Sequence, residues 1–247
     1  MLQFKRLFSV DSAKALKADK YGYLNGINYM AAHQTAGVGN LCASASPGCI
    51  ALCLGLYSGQ AAMVADLEDG MNSVRASRIR KAQYFARDVQ AFLDEVCAHI
   101  ESLLRRAAKL GKALCIRLNG STDIPFERIK IKSRGNQNVY DVFPDVQFVD
   151  YTKRFERLGR VPANLHLTFS RSETNGCFAE LALKRGHNVA VVFAGAMPME
   201  YLGAPVISGD EHDLRHLDPR GGYVIGLSPK GGKAKRDASG FVVRDAA

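Results

Sequence analysis

Six short apolar runs follow residue 112 and constrain the fold more than any other feature: Ala113–Leu118, Val146–Tyr151, Leu165–Phe169, Val189–Phe193, Pro205–Ile207 and Tyr223–Leu227. Strands that are apolar at nearly every position must be covered on both faces. A parallel sheet lined by crossovers meets that need. The runs predict an α/β fold, a partial or incomplete (β/α) barrel of about six parallel strands. A doubly wound parallel sheet is the alternative. No Gly-x-Gly-x-x-Gly follows a strand, which weighs against a dinucleotide site. A further, earlier strand is expected near Leu24–Met30.

Upstream lies an N-terminal helical block, residues 60–110. Phe85, Val89, Phe92, Val96, Ile100, Leu103 and Ala107 recur at intervals of three and four, which is one face of a helix. Gly111 is the expected stop. The 247 residues read as one α/β domain, 1–247, without internal repeats. Residues 228–247 form a basic, Gly-rich C-terminal segment in which Gly240-Phe241-Val242-Val243 could dock as a strand.

In parallel α/β folds ligands bind beyond the carboxyl ends of the strands. The runs here end in Asn119–Asp123, Asp150–Lys153, Ser170–Glu173 and Ser208–Asp213. Any one such residue reads more readily as ordinary loop polarity. Their recurrence at one predicted rim points to a site. Arg117, Asp123, Lys153 and Ser170 are the candidate catalytic residues. Tyr151, Thr152 and Asp210 are the candidate cofactor-binding residues. Arg117 lies inside an apolar run, where an unpaired charge is expensive, and Asp123 is its expected partner.

Cys42, Cys49 and Cys53 crowd one Gly- and Pro-punctuated stretch with the spacing C-x6-C-x3-C. Soft thiolates this close are metal ligands by type, and Ser46-Pro47-Gly48 lets the backbone fold back between them. Three ligands leave an open position or call for a remote fourth. Cys177 is the first candidate for that role and His33 the second. Cys97 and Cys115 sit on apolar stretches and are expected in the core.

The formal net charge is +9, which favours anionic partners, either a small molecule or nucleic acid. Lys230, Lys233, Lys235 and Arg236 are the candidate nucleic-acid or phosphate contacts, although a flexible solvated terminus would look the same. No apolar run reaches the roughly 18 residues of a membrane span. The first ten residues lack a signal-peptide pattern, and six cysteines are too sparse for a disulfide scaffold. The cytoplasm, of a phage-infected or lysogenic host given the resemblance below, is the expected compartment.

The cysteine run, the strand with Arg117 and its following Asp123, the Tyr151-Thr152-Lys153 strand end and Ser170 together resemble phage- and prophage-encoded uncharacterised proteins related to the mycobacteriophage gene product 88 family. The resemblance extends in islands over residues 36–245, including the Lys230–Phe241 ending. That family's run reads Cys-Pro near its start and Cys-Tyr at its end, whereas this chain has Cys42-Ala43 and Cys53-Leu54. The element around Cys49 and Cys53 also resembles phage relatives of radical S-adenosylmethionine enzymes, whose usual C-x3-C-x2-C spacing is absent here. The resemblance implies a partial barrel and an iron–sulfur cluster, with S-adenosylmethionine as a further cofactor. Three functions follow: an iron–sulfur enzyme, a structural-zinc module that binds nucleic acid, or a metal-free interaction protein.

Overall fold

The computed structural model describes residues 2–57, 61 and 71–244. Its strands are β1 (Phe8–Ser9), β2 (Tyr23–Asn28), β3 (Ala113–Arg117), β4 (Gln147–Thr152), β5 (Leu165–Ser170), β6 (Val189–Phe193), β7 (Glu200–Tyr201), β8 (Ala204–Ser208), β9 (Val224–Leu227) and β10 (Val242–Val243). They form one sheet in the order β1-β2-β3-β4-β5-β6-β9-β8-β7. Pairing is parallel from β2 through to β8, and antiparallel at the two ends, where β1 joins β2 and β7 joins β8.

Consecutive parallel strands were expected, and β2 to β6 obey that. The order then breaks, because β9 inserts between β6 and β8. Composition explains the exchange. Val224, Ile225 and Gly226 are buried, whereas Pro205 and Ser208 of β8 are exposed. Proline donates nothing to a ladder and is tolerated near an edge. The sheet is mixed and does not close into a barrel. The C-terminal Val242 and Val243 pair in parallel with Val192 and Phe193 of β6, beyond the point where β5 pairs with Val189 and Ala190. The last strand thus extends the line of β5.

The helices are α1 (Ala13–Leu16), α2 (Pro47–Ala51), α3 (Leu54–Tyr57), α4 (Ser73–Arg87), α5 (Val89–Lys109), α6 (Val139–Val142), α7 (Gly176–Lys184) and α8 (Gly232–Lys235). The helical block is therefore two helices hinged at Asp88. Its backbone leaves the helical region at φ −150°, and its carboxylate caps α5 by accepting from Ala91 N at 2.9 Å. Residues 60 and 62–70 of the expected block lie outside the described residues. Gly111, at φ +62°, ends α5 as expected. Among the described residues no helix is long and apolar enough to cross a membrane.

The period-2 alternation of the strands divides the side chains between two faces. Leu114, Ile116, Phe148, Leu167, Phe169, Val191 and Phe193 join Phe92, Val96 and Ile100 of α5 in the main core. Each fully buried side chain of this kind contributes about 1.5–3 kcal/mol. The other face carries Cys115 and Val149, covered by Ala18 and Leu214. Residues 210–218 span the open side of the sheet here. Lys17 Nζ donates to the Asp210 carbonyl at 2.5 Å, and the rings of His212 and His216 meet Tyr21 and Tyr23 at 4.5 and 5.0 Å.

Candidate functional site

The carboxyl ends of β2 to β5 open on one side, and Asn119 organises that mouth. Its Nδ2 donates to Asp150 Oδ2 at 2.6 Å and to the Ile124 carbonyl at 3.0 Å. Its Oδ1 accepts from Thr122 Oγ1 at 2.8 Å and Ile124 N at 2.9 Å. A fully used amide of this kind pins the turn after β3. The turn delivers Asp123 to β4, where it accepts from Thr152 Oγ1 at 2.9 Å and Lys153 N at 2.8 Å.

Asp123 does not pair with Arg117, contrary to the expectation. Its ion pair is with Arg157, which also grips Glu127 through two parallel bonds of 2.9 and 3.0 Å. Arg117 is buried on β3. Its Nε donates to the Asn119 carbonyl at 3.1 Å and lies 3.9 Å from Asp150, and its guanidinium covers the Tyr151 ring at 4.6 Å. Burial alone would lower its pKa, but Asp213, Tyr151 and Asp150 outweigh burial and raise it. Burial pushes the Tyr151 phenol up to about 12, and Asp150 up to about 6 against the pull of Arg157 and Arg117. Arg117 is thus a buried cation balanced by Asp213, Tyr151 and Asp150.

Lys153 and Ser170 do meet, Nζ to Oγ at 2.8 Å, at the adjacent ends of β4 and β5. The Phe241 ring lies 5.4 Å from Nζ on the other side. Among the described residues no carboxylate pairs with Lys153, with Arg171 or with Arg78. Arg171 donates to the Gly240 and Phe241 carbonyls, and Arg78 to the Gly55 carbonyl. These three cations are held by carbonyl and hydroxyl oxygens rather than by carboxylates.

The three cysteines lie on this same side. Cys42 Sγ donates to the Ser121 carbonyl at 3.4 Å, just past β3. Ser46 caps α2, which carries Cys49, and Cys53 stands before α3, with the Gly55 and Leu56 amides facing its sulfur. Burial pushes the Cys42 thiol up to about 12, the His33 amide opposes this, and the charges of Cys53, Cys49 and Asp123 add to it. Burial also raises Cys53, with Arg78 pulling the other way. The three thiols are thus close enough to influence one another electrostatically. Among the described residues, however, no three Cys, His, Asp or Glu side chains stand in an arrangement that would hold a metal ion. Neither candidate fourth ligand joins them. His33 meets Cys42 through its backbone amide, and Cys177 is exposed on α7. Cys97 and Cys115 are buried in the core as expected.

Asp210 lies away from the cysteines, bonded to Ser228 N at 2.9 Å and to Lys230 Nζ at 2.8 Å. The expected basic cluster is accordingly divided. Lys230 is paired with Asp210, and Lys233 Nζ stands 3.5 Å from the centre of the Tyr57 ring. Lys235 and Arg236 complete the set around α8, which packs onto the protein instead of trailing from it.

Three residues that build or support this mouth carry little signal in the sequence. Glu173 reads only as one polar residue after β5. Arg157 had no signal at all within a charged stretch. Asn119 was visible only as one more polar strand end. No curated protein and no solved structure matches the chain, so the likeness to radical S-adenosylmethionine enzymes has no support from a match. A family model described as gene product 88 matches residues 6–245, nearly the whole length, and the chain belongs to that phage-type family.

Proposed function

We propose that Cys42, Cys49 and Cys53 hold an iron–sulfur cluster and that the protein is an enzyme acting at the mouth of the sheet. The observation that carries this reading is the placement of three half-buried thiols beside the strand ends, with Cys42 on the Ser121 carbonyl and Arg78 on the Gly55 carbonyl just past Cys53. The donor set suits the group, since soft thiolates are what iron–sulfur clusters take. A cluster bound by three cysteines supplies one iron free to meet a substrate or a cofactor such as S-adenosylmethionine. Binding would have to draw the thiols together and strip their protons, so affinity would rise with pH. Arg78 and the Gly55 and Leu56 amides favour the Cys53 thiolate. Lys153 and Ser170 would hold an anionic group of the substrate. Tyr151 and Thr152 would support that rim, and Arg117 would stiffen it from within. Asp210 would serve by keeping Lys230 and residues 228–230 in place.

Structural zinc on the same thiols, in a module that grips nucleic acid through Lys230, Lys233, Lys235 and Arg236, is the second reading. The net charge of +9 favours it. Anaerobic reconstitution with ferrous iron and sulfide separates the two. The cluster reading expects iron and acid-labile sulfide in comparable amounts, visible absorption bleached by dithionite, and loss of both in each Cys→Ala variant. Stoichiometric zinc without sulfide overturns the cluster. No retained metal overturns both.

A further inference from the structure

The cysteine loop is held from outside itself. Glu173, three residues beyond β5, accepts from Gly48 N at 2.7 Å and from Ser46 Oγ at 2.8 Å. Ser46 Oγ in turn accepts from Cys49 N at 3.2 Å. One carboxylate is therefore two hydrogen bonds from the backbone of Cys49. The contact is crowded. A Cβ on Gly48 would come within 2.4 Å of Ser239 Oγ and 2.9 Å of the Glu173 carboxylate. A larger residue at 48 would have to displace the Ser239 and Glu173 side chains from these contacts. On the far side Leu52, between Cys49 and Cys53, packs against Ala234 and Val242 of the C-terminal segment.

We propose that Glu173 is the positioning residue of the cysteine loop. It fixes the start of α2 against the carboxyl end of β5, so that Cys49 and Cys53 stay beside Cys42. The proposal rests on the reading that the three thiols work as one site. Its physical basis is independent of any metal. A five-residue helix is too short to persist by itself and depends on what anchors its ends. Here the anchor is a carboxylate accepting two donors, the stronger class of hydrogen bond. Without it the first turn of α2 loosens, and Cys49 on the helix and Cys53 just beyond it become accessible and drift from Cys42.

The test is residue-resolved alkylation of the metal-free full chain by iodoacetamide, followed by mass spectrometry. In Glu173→Ala, Cys49 and Cys53 should react about tenfold faster than in the wild type, the factor set by losing a charge-assisted hydrogen bond. Buried Cys97 and Cys115 are internal references and should not accelerate. Glu173→Gln keeps one acceptor oxygen and should rescue part of the protection. Ser46→Ala, which removes one of the two donors, should show a smaller acceleration and serves if the Glu173→Ala chain does not fold. Unchanged Cys49 and Cys53 rates in both alanine variants overturn the proposal, as does equal acceleration of all the cysteines. A parallel titration with cobalt(II) keeps the two ideas apart. If wild type binds no metal, the metal reading fails while the alkylation rates still decide the clamp.

Discussion

Arg157 holds Asp123 at 2.6 Å and Glu127 at 2.9 Å from a position almost without solvent contact, so a single guanidinium ties the turn after β3 to the segment after β4. Burial opposes its charge, but Asp150, Glu127 and Asp123 together raise its pKa. The residue is a bolt beneath the mouth rather than part of its lining. Removing one member of a buried ion network leaves the others uncompensated, at a cost of about 3–5 kcal/mol. Arg157→Met should lower stability by that amount in urea unfolding. An effect under about 1 kcal/mol would mean the network is solvent-screened.

Lys81 is buried and meets the Leu7 carbonyl at 2.6 Å, and burial lowers its pKa to about 8. The unfolded chain keeps this proton to its ordinary value of 10.5, so it binds more protons than the folded chain between pH 8 and 10.5. Stability should therefore rise with pH across that window, by about 3 kcal/mol from this group. The burial penalty is present in full below pH 8. Lys81→Met should remove the dependence, which urea midpoints at pH 7 and 10 would reveal as a difference of slope between the two proteins.

Acid should act through the face that residues 210–218 cover. Burial depresses His166 to about 4, with His216 adding to the effect, and burial depresses His216 to about 4 as well. The unfolded chain takes up these protons as pH falls through 6.5, and the folded chain only near 4. Stability should be lost between those limits and level off below them. His166→Gln should flatten the loss seen in thermal melts from pH 7 to 4. An unchanged acid limb would exclude His166 as its source.

Gly120 permits a close crossing of chains. A Cβ there would come within 2.6 Å of the Asn28 carbonyl oxygen and 2.7 Å of the Tyr29 ring. Gly120→Ala must push β2 and the turn after β3 apart, costing about 1–3 kcal/mol. Because Cys42 bonds to the adjacent Ser121 carbonyl, its alkylation should also accelerate. Stability loss without a change at Cys42 would show that the strain relaxes elsewhere.

What the sequence disclosed follows from range. The runs at Leu165–Phe169 and Val189–Phe193 were legible because a strand buried on both faces writes its environment into every residue. The helix end at Gly111 was legible for the same local reason. The exchange of β8 and β9 was not, since strand order is settled by contacts across the whole sheet. At the site, Lys153 and Ser170 were found by a topological rule and do meet. Arg117 and Asp123, six positions apart, were matched by proximity along the chain, but Asp123 lies in the turn beyond β3 and is drawn to β4. Arg117 extends over the face shared with Cys115, while Asp123 turns to Arg157, a residue no local pattern singles out. Glu173 meets Ser46 and Gly48 only once α2 and the end of β5 are side by side, so no local pattern marks it.

The pairing of Val242 and Val243 with β6 also has a temporal meaning. A ribosome makes these residues some 190 positions after Cys53. A nascent chain has every cysteine and most of the sheet long before Leu52 acquires the wall formed by Ala234 and Val242. Through that interval the segment from Cys49 to Cys53 stands without the wall that later covers Leu52.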